Sequence, residues 1–264
     1  MIDYINYVKH RKNVYSQFGE DGVLGQIFKD LNIEKGVCVE IGAGDGVEYS
    51  NTRHLLEQGW SGVWIEGDEG KYAKAVENSE GLDVTNIFNL VQPTELDKVI
   101  PTDVPEEFEL LVIDIDGDDW YMWKHLINYR PKIVMVECNY SFPYNVEFVQ
   151  KKGLRLGASA LAMYRLAIEK GYMMICYNVT NSIFMNVTQG IPVWMLEHFR
   201  HHSFTRMYGK GSTQLPYFCL SYDGQLFNFG LWSHIGMPML PAAELEKRAH
   251  IFKIYENEEM DWLW

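Results

Sequence analysis

Two short stretches place oxygen-bearing side chains at spacings that could do chemistry. In LLVIDIDGDDW, Asp114 and Asp116 are two residues apart, and in PKIVMVECN, Glu137 and Asn139 repeat that spacing. In extended chain a spacing of two points both side chains to one side. Neighbouring strands lie about 5 Å apart, so the two pairs could converge on one hard cation bound through oxygen, such as Mg2+. That ion could hold two substrate hydroxyls and make one of them a better nucleophile by lowering its pKa. Without a cation, Asp116 or a histidine would be the general base. The candidates are His54, His125, His198, His201, His202 and His234. His198 stands out in H-F-R-H-H, although His198 and His202 form only half a metal site and the run reads equally as a solvated helix end. A scaffolding reading stays open too, with Asp114 and Glu137 bonding backbone amides and Asp116 capping the next helix.

A second constellation is V-E-I-G-A-G-D-G, residues 39–46, followed about 20 residues later by Glu66 at the end of G-V-W-I-E. Glycines 42, 44 and 46 let backbone turn sharply and approach a ligand, and the next helix offers free N–H groups. Glu66 is placed to accept bonds from both hydroxyls of a ribose. A dinucleotide pyrophosphate would want a small residue where Val47 stands. Glu40 and Asp45 would repel it and could attract a cationic ligand, such as a sulfonium or an amine. A tight turn without ligand is the bland alternative.

With these residues in place, the chain resembles the class I S-adenosylmethionine-dependent methyltransferases, and within them the FkbM-like group. The resemblance rests on YSQFGEDGVL, VEIGAGDG, GWSGVWIEGD and LLVIDIDGDDWYMWKHL followed by PKIVMVECN, and covers about the first 190 residues. It implies S-adenosylmethionine as cofactor, with Glu40, Gly42 and Gly44 lining its methionine part, Glu66 on the ribose, and Ser16 and Gln17 covering it. For Ser16 and Gln17 a helix-capping role is an equal reading. Asp114 stands where such enzymes contact the methionine amino group or begin catalysis. The metal-dependent O-methyltransferases among them use acids and an asparagine at the ends of the same two strands.

The elements that must carry these groups alternate between strand and helix patterns, which predicts a Rossmann-like, doubly wound, mostly parallel α/β sheet. Strands are expected at Val37 to Ile41, Gly62 to Ile65, Val84 to Val91, Leu110 to Ile115, Ile133 to Val136, Tyr172 to Tyr177 and Ile183 to Val187. Helices are expected at Thr52 to Gln58, capped by the Ser50-Asn51-Thr52 cluster, at the proline-opened ELDKVI, and at Ser159 to Lys170.

The expected division is a cofactor-binding core over residues 1–188 and an aromatic-rich extension over 189–264. In the extension, Asp223-Gly224 between YFCLSY and QLFNFG signals a hairpin, and Ala242 to Tyr255 reads as an amphipathic helix. Trp194, Phe204, Tyr208, Tyr217, Phe227, Phe229 and Trp232 could form a lid on a sugar or flat substrate, a hairpin core or a dimer interface.

A chain of 264 residues with net charge −13 and no long apolar run is expected to be soluble and cytoplasmic, to avoid the phosphate backbone of nucleic acid, and to keep clear of membranes. Cys38, Cys138, Cys176 and Cys219 are far apart and read as reduced core residues. The expected activity is methyl transfer to a hydroxyl of a sugar or glycosylated small molecule, possible also as a homo-oligomer. N- or carboxyl-methylation, or a non-catalytic binding protein on the same fold, remain alternatives.

Overall fold

The computed structural model describes residues 6–195, 218–220, 222, 226–228 and 239–255. Strands β1 (Val37–Ile41), β2 (Ser61–Glu66), β3 (Asp83–Phe88), β4 (Leu110–Ile113), β5 (Ile133–Glu137), β7 (Tyr172–Asn178) and β8 (Asn181–Asn186) form one sheet, ordered β3-β2-β1-β4-β5-β8-β7. β1 to β5 are parallel, and β8 alone runs against its neighbours. Helices α1 (Glu20–Asp30), α2 (Arg53–Glu57), α3 (Glu69–Asn78), α4 (Leu96–Val99), α5 (Asp119–His125) and α6 (Ala160–Glu169) cover it. The expected doubly wound α/β sheet is therefore present.

The apolar runs of the central strands explain the layering. In β4, Leu111 and Ile113 join a core with Trp120, Trp123 and Leu161, while Leu110 and Val112 join a second core with Leu24, Phe28 and Leu56. Alternate residues of one strand thus bury on opposite faces, as a centrally placed parallel strand requires. Among the described residues no helix is long and apolar enough to cross a membrane.

One expected element differs in its second half. Ala242 to Tyr255 is a helix only over α7 (Ala242–Arg248); Ala249–Ile254 is a strand, β12, paired antiparallel with β6 (Val146–Gln150). The alternating AHIFKI finds a bare strand edge there, and Phe252 packs with Phe148, so pairing overrides helical periodicity. The expected hairpin is present as β9 (Phe218–Leu220) against β10 (Leu226–Asn228), with β11 (Met239–Pro241) beside β10.

Candidate functional site

The chain order reverses between β1 and β4, and ligands in open α/β sheets sit beyond the carboxyl ends of the strands at such a switch point. On this rim stand the glycine turn after β1, Glu66 ending β2, Asp114 after β4 and Glu137 ending β5. At Gly42, with φ +84°, a Cβ would fall 1.8 Å from the Asp114 carbonyl oxygen, so only glycine lets the turn pass so close. Gly44 turns with φ +61°, and a Cβ there would meet nothing nearer than 4.0 Å, which leaves a bare stretch of backbone on the rim.

Glu66 is about nine-tenths buried, and its two oxygens accept the Gly44 and Asp68 N–H groups, each at 2.7 Å. Asp45 accepts the Val47 and Glu48 N–H groups, so one of its oxygens serves the turn itself. Glu40 is buried and accepts from the Ser50 hydroxyl, the Asn51 N–H and the Thr52 hydroxyl at 3.0, 2.8 and 2.5 Å. Burial pushes its carboxyl up to about 7. The Ser50-Asn51-Thr52 cluster, expected as a helix cap, also binds this acid: Thr52 occupies the N-cap without a side-chain capping bond, and the Ser50 hydroxyl accepts the Arg53 N–H at 3.2 Å.

Ser16 is buried, and its hydroxyl donates to Asp21 at 2.7 Å while accepting the Asp21 N–H at 3.1 Å. The same Asp21 oxygen accepts the N–H groups of Val14, Tyr15 and Ser16. Gln17 is exposed. Glu20, fully buried, accepts from Phe18 N–H, Asn178 and Asn181 at 2.8, 2.8 and 3.2 Å. The S-Q-F-G-E-D stretch thus clamps the leading segment to the β7–β8 hairpin, and the bonds made by Ser16 are of the capping kind.

The acids after β4 and β5 converge. Oxygens of Asp114, Asp116 and Glu137 lie within 4.8 Å of one another. They meet by a turn and not by strand alternation: β4 ends at Ile113, and Asp116 has φ +57°. Asp119 closes that turn by accepting the Ile115 and Gly117 N–H groups at 2.8 and 2.9 Å, so it and not Asp116 secures the start of α5. Burial pushes Asp119 up to about 7. Asp114 and Glu137 are raised by burial and then by each other's neighbourhood: Asp119 acts most on Asp114, and Asp114 most on Glu137. Asp116, exposed, pairs with Arg155 at 3.0 Å.

Asn139 bonds the loop that follows it. Its oxygen accepts from the Ser141 N–H and hydroxyl, and its amide donates to the Leu156 carbonyl at 2.9 Å. The strand itself ends at Glu137. His125 ends α5, with Nδ1 2.8 Å from the Tyr121 carbonyl, while Asp119 begins that helix. His54 lies in α2. His198, His201, His202 and His234 lie outside the described residues, as do Phe204, Tyr208, Tyr217, Phe229 and Trp232. Cys38, Cys138 and Cys176 are buried and free.

Tyr222 is a residue that sequence reasoning missed. Its N–H donates to the Arg155 carbonyl at 2.7 Å, its ring lies against Gly157, and its buried hydroxyl faces Glu137. The only sequence signal was its place just before the Asp223-Gly224 turn.

The donor set of the triad suits a hard divalent cation: three carboxylates, with Glu137 Oε2 buried and without a partner among the described residues. The bare glycine backbone beside Glu66 suits a nucleoside-bearing ligand.

No family model matches the chain, and no curated protein matches it. Solved structures do. The chain is similar to TehB from Haemophilus influenzae at 10% identity, over 64% of this chain and 63% of that one, with a TM-score of 0.43. It is similar to an S-adenosylmethionine-dependent methyltransferase from Clostridium acetobutylicum at 8% identity, over 69% and 92%, with a TM-score of 0.42. It is also similar to the N-terminal domain of EvdMO1 with SAH bound, at 11% identity over 65% and 82%, with a TM-score of 0.44. The chain thus spans somewhat less than two thirds of the length of TehB.

Proposed function

We propose that this chain is an S-adenosylmethionine-dependent methyltransferase whose acceptor is a hydroxyl of a sugar or glycosylated small molecule. The observation that carries the reading is a single rim on which the Glu66–Gly44 pair and the Asp114–Asp116–Glu137 triad stand side by side at the switch point of the sheet.

When bound, S-adenosylmethionine supplies an electrophilic methyl group on a sulfonium. The backbone at Gly42 and Gly44 lines its methionine part, and Glu66, already fixed by two N–H donors, keeps lone pairs for the ribose hydroxyls. The negative rim favours a cationic ligand over a pyrophosphate. Asp114, Asp116 and Glu137 hold a divalent cation, whose chemistry is to orient the acceptor and acidify its hydroxyl. In the cation-free protein the exposed Asp116 carboxylate is the base that takes the acceptor proton.

Isothermal titration with S-adenosylmethionine, S-adenosylhomocysteine and NADH, each with and without magnesium, tests this. Binding of the first two in the micromolar range, and none of NADH, is expected. No heat with either sulfur compound overturns the proposal.

A further inference from the structure

Two buried oxygens in the acid pocket have no hydrogen-bond partner among the described residues, Glu137 Oε2 and Tyr222 Oη. Leaving such an atom dry and unpaired costs about 1–3 kcal/mol. A buried carboxylate with one oxygen unpaired and a phenol beside it marks a place that something else completes. Glu137 is more than nine-tenths buried, so its oxygen cannot turn out to bulk water.

The two atoms come from different parts of the chain. Glu137 ends β5, whereas Tyr222 lies between β9 and β10, at the tip of the hairpin. The tip is fastened to the loop after β6. Arg155 accepts the Tyr222 N–H on its carbonyl and pairs with Asp116 through its guanidinium, and Gly157 backs the Tyr222 ring. One loop therefore holds both the hairpin tip and the exposed acid of the triad. Leu156 and Gly157 are themselves fixed, since both N–H groups donate to the Gln150 side chain at 2.8 and 2.7 Å.

We propose that Tyr222 is the positioning residue of a divalent-cation site formed by Asp114, Asp116 and Glu137, so that the ion ties the hairpin tip to the core. The inference rests on the cation reading given under Proposed function. With the ion on one Glu137 oxygen, the Tyr222 phenol O–H donates to the other and fixes the rotation of the carboxylate. Ligating carboxylates are commonly held by such outer partners, and losing one costs about 10- to 100-fold in metal affinity. The pocket supplies the charge for a divalent ion, and Tyr222 adds an orienting donor without adding charge.

The test is titration of the full chain with Mn2+, followed by the paramagnetic resonance of the free ion. The wild-type protein is expected to bind one Mn2+, Glu137→Gln to lose it, and Tyr222→Phe to bind it about 10- to 100-fold more weakly. Tyr222→Phe keeps the ring on Gly157, so its metal-free melting temperature and its affinity for S-adenosylmethionine should stay those of the wild type. Added Mn2+ should slow protease cleavage between β9 and β10 in the wild type and not in Tyr222→Phe. Equal Mn2+ affinity in wild type and Tyr222→Phe overturns the inference and leaves the cation reading standing. No Mn2+ bound by the wild type overturns both, while the methyl-transfer reading is then decided by the cofactor titration. Terbium gives a readout that needs no variant: bound Tb3+ without tyrosine-sensitised emission places no phenol near the ion and overturns the inference.

Discussion

Glu66 accepts the Gly44 N–H at 2.7 Å, which joins the acid that ends β2 to the glycine turn that follows β1. Removing it therefore acts on two levels. Glu66→Ala deletes the ribose acceptor and orphans the Gly44 and Asp68 N–H groups. Its affinity for S-adenosylmethionine is expected to fall at least about tenfold, the equivalent of one charge-assisted hydrogen bond. Glu66→Gln keeps one carbonyl acceptor and should fall between. Calorimetric titration of both variants decides; wild-type affinity in Glu66→Ala removes Glu66 from the cofactor site.

Glu40 gives a pH signature. Its carboxyl sits at about 7 in the fold against an ordinary 4.5, so between these values the native state holds a proton that the unfolded chain has lost. Stability from this group is fully present below the lower value and is lost as pH rises through the upper one. The loss is at most about 3 kcal/mol. Urea unfolding across this window should show a decline with rising pH that Glu40→Gln flattens. A parallel decline in the variant would assign the slope to other groups.

Ser16 distinguishes a cap from a cofactor contact. Its hydroxyl is engaged with Asp21 in both directions. Ser16→Ala is expected to cost about 1 kcal/mol of stability, as other lost caps do. Its affinity for S-adenosylmethionine should remain within about twofold, below the cost of one lost net hydrogen bond. A loss beyond tenfold would show that the leading segment touches the cofactor.

Val179 holds φ +58° in the turn between β7 and β8, a conformation that costs a β-branched residue about 1–2 kcal/mol. The turn is pinned in place by Asn178 and Asn181 on Glu20 and by the Cys138 N–H on the Thr180 carbonyl at 2.7 Å. Val179→Asn, which tolerates this region, should raise the melting temperature by about 2–4 °C. An unchanged or lower value would mean that Val179 packing offsets the strain.

The sheet was legible because its central strands are continuous apolar runs. Leu110 to Ile113 feeds two cores from alternate residues, and Ile133 to Val136 does the same. The convergence of Asp114, Asp116 and Glu137 followed from strand ends, although the actual path runs through a left-handed Asp116 that period-two reasoning does not foresee. β6 was not foreseen: VEFVQ is five residues long, and its stabilising partner, β12, is about a hundred residues away. The same distance hid β12, whose AHIFKI continues a helical pattern until a strand edge claims it. Tyr222 was invisible because nothing local marks a hairpin-tip residue as facing a carboxylate in another part of the fold.

The pairing of β12 with β6 has a consequence for synthesis on the ribosome. β6 lies next to the loop that carries Arg155 and Gly157, yet its partner, Ala249–Ile254, is made about a hundred residues later. Until that stretch emerges, the nascent chain exposes an unpaired, apolar strand edge of the kind that invites wrong partners. The parallel sheet can assemble early around β1 and β4, but the β6–β12 pair must wait for Ala249–Ile254, and a translation stop short of Ala249 would release a formed sheet with the β6 edge still bare.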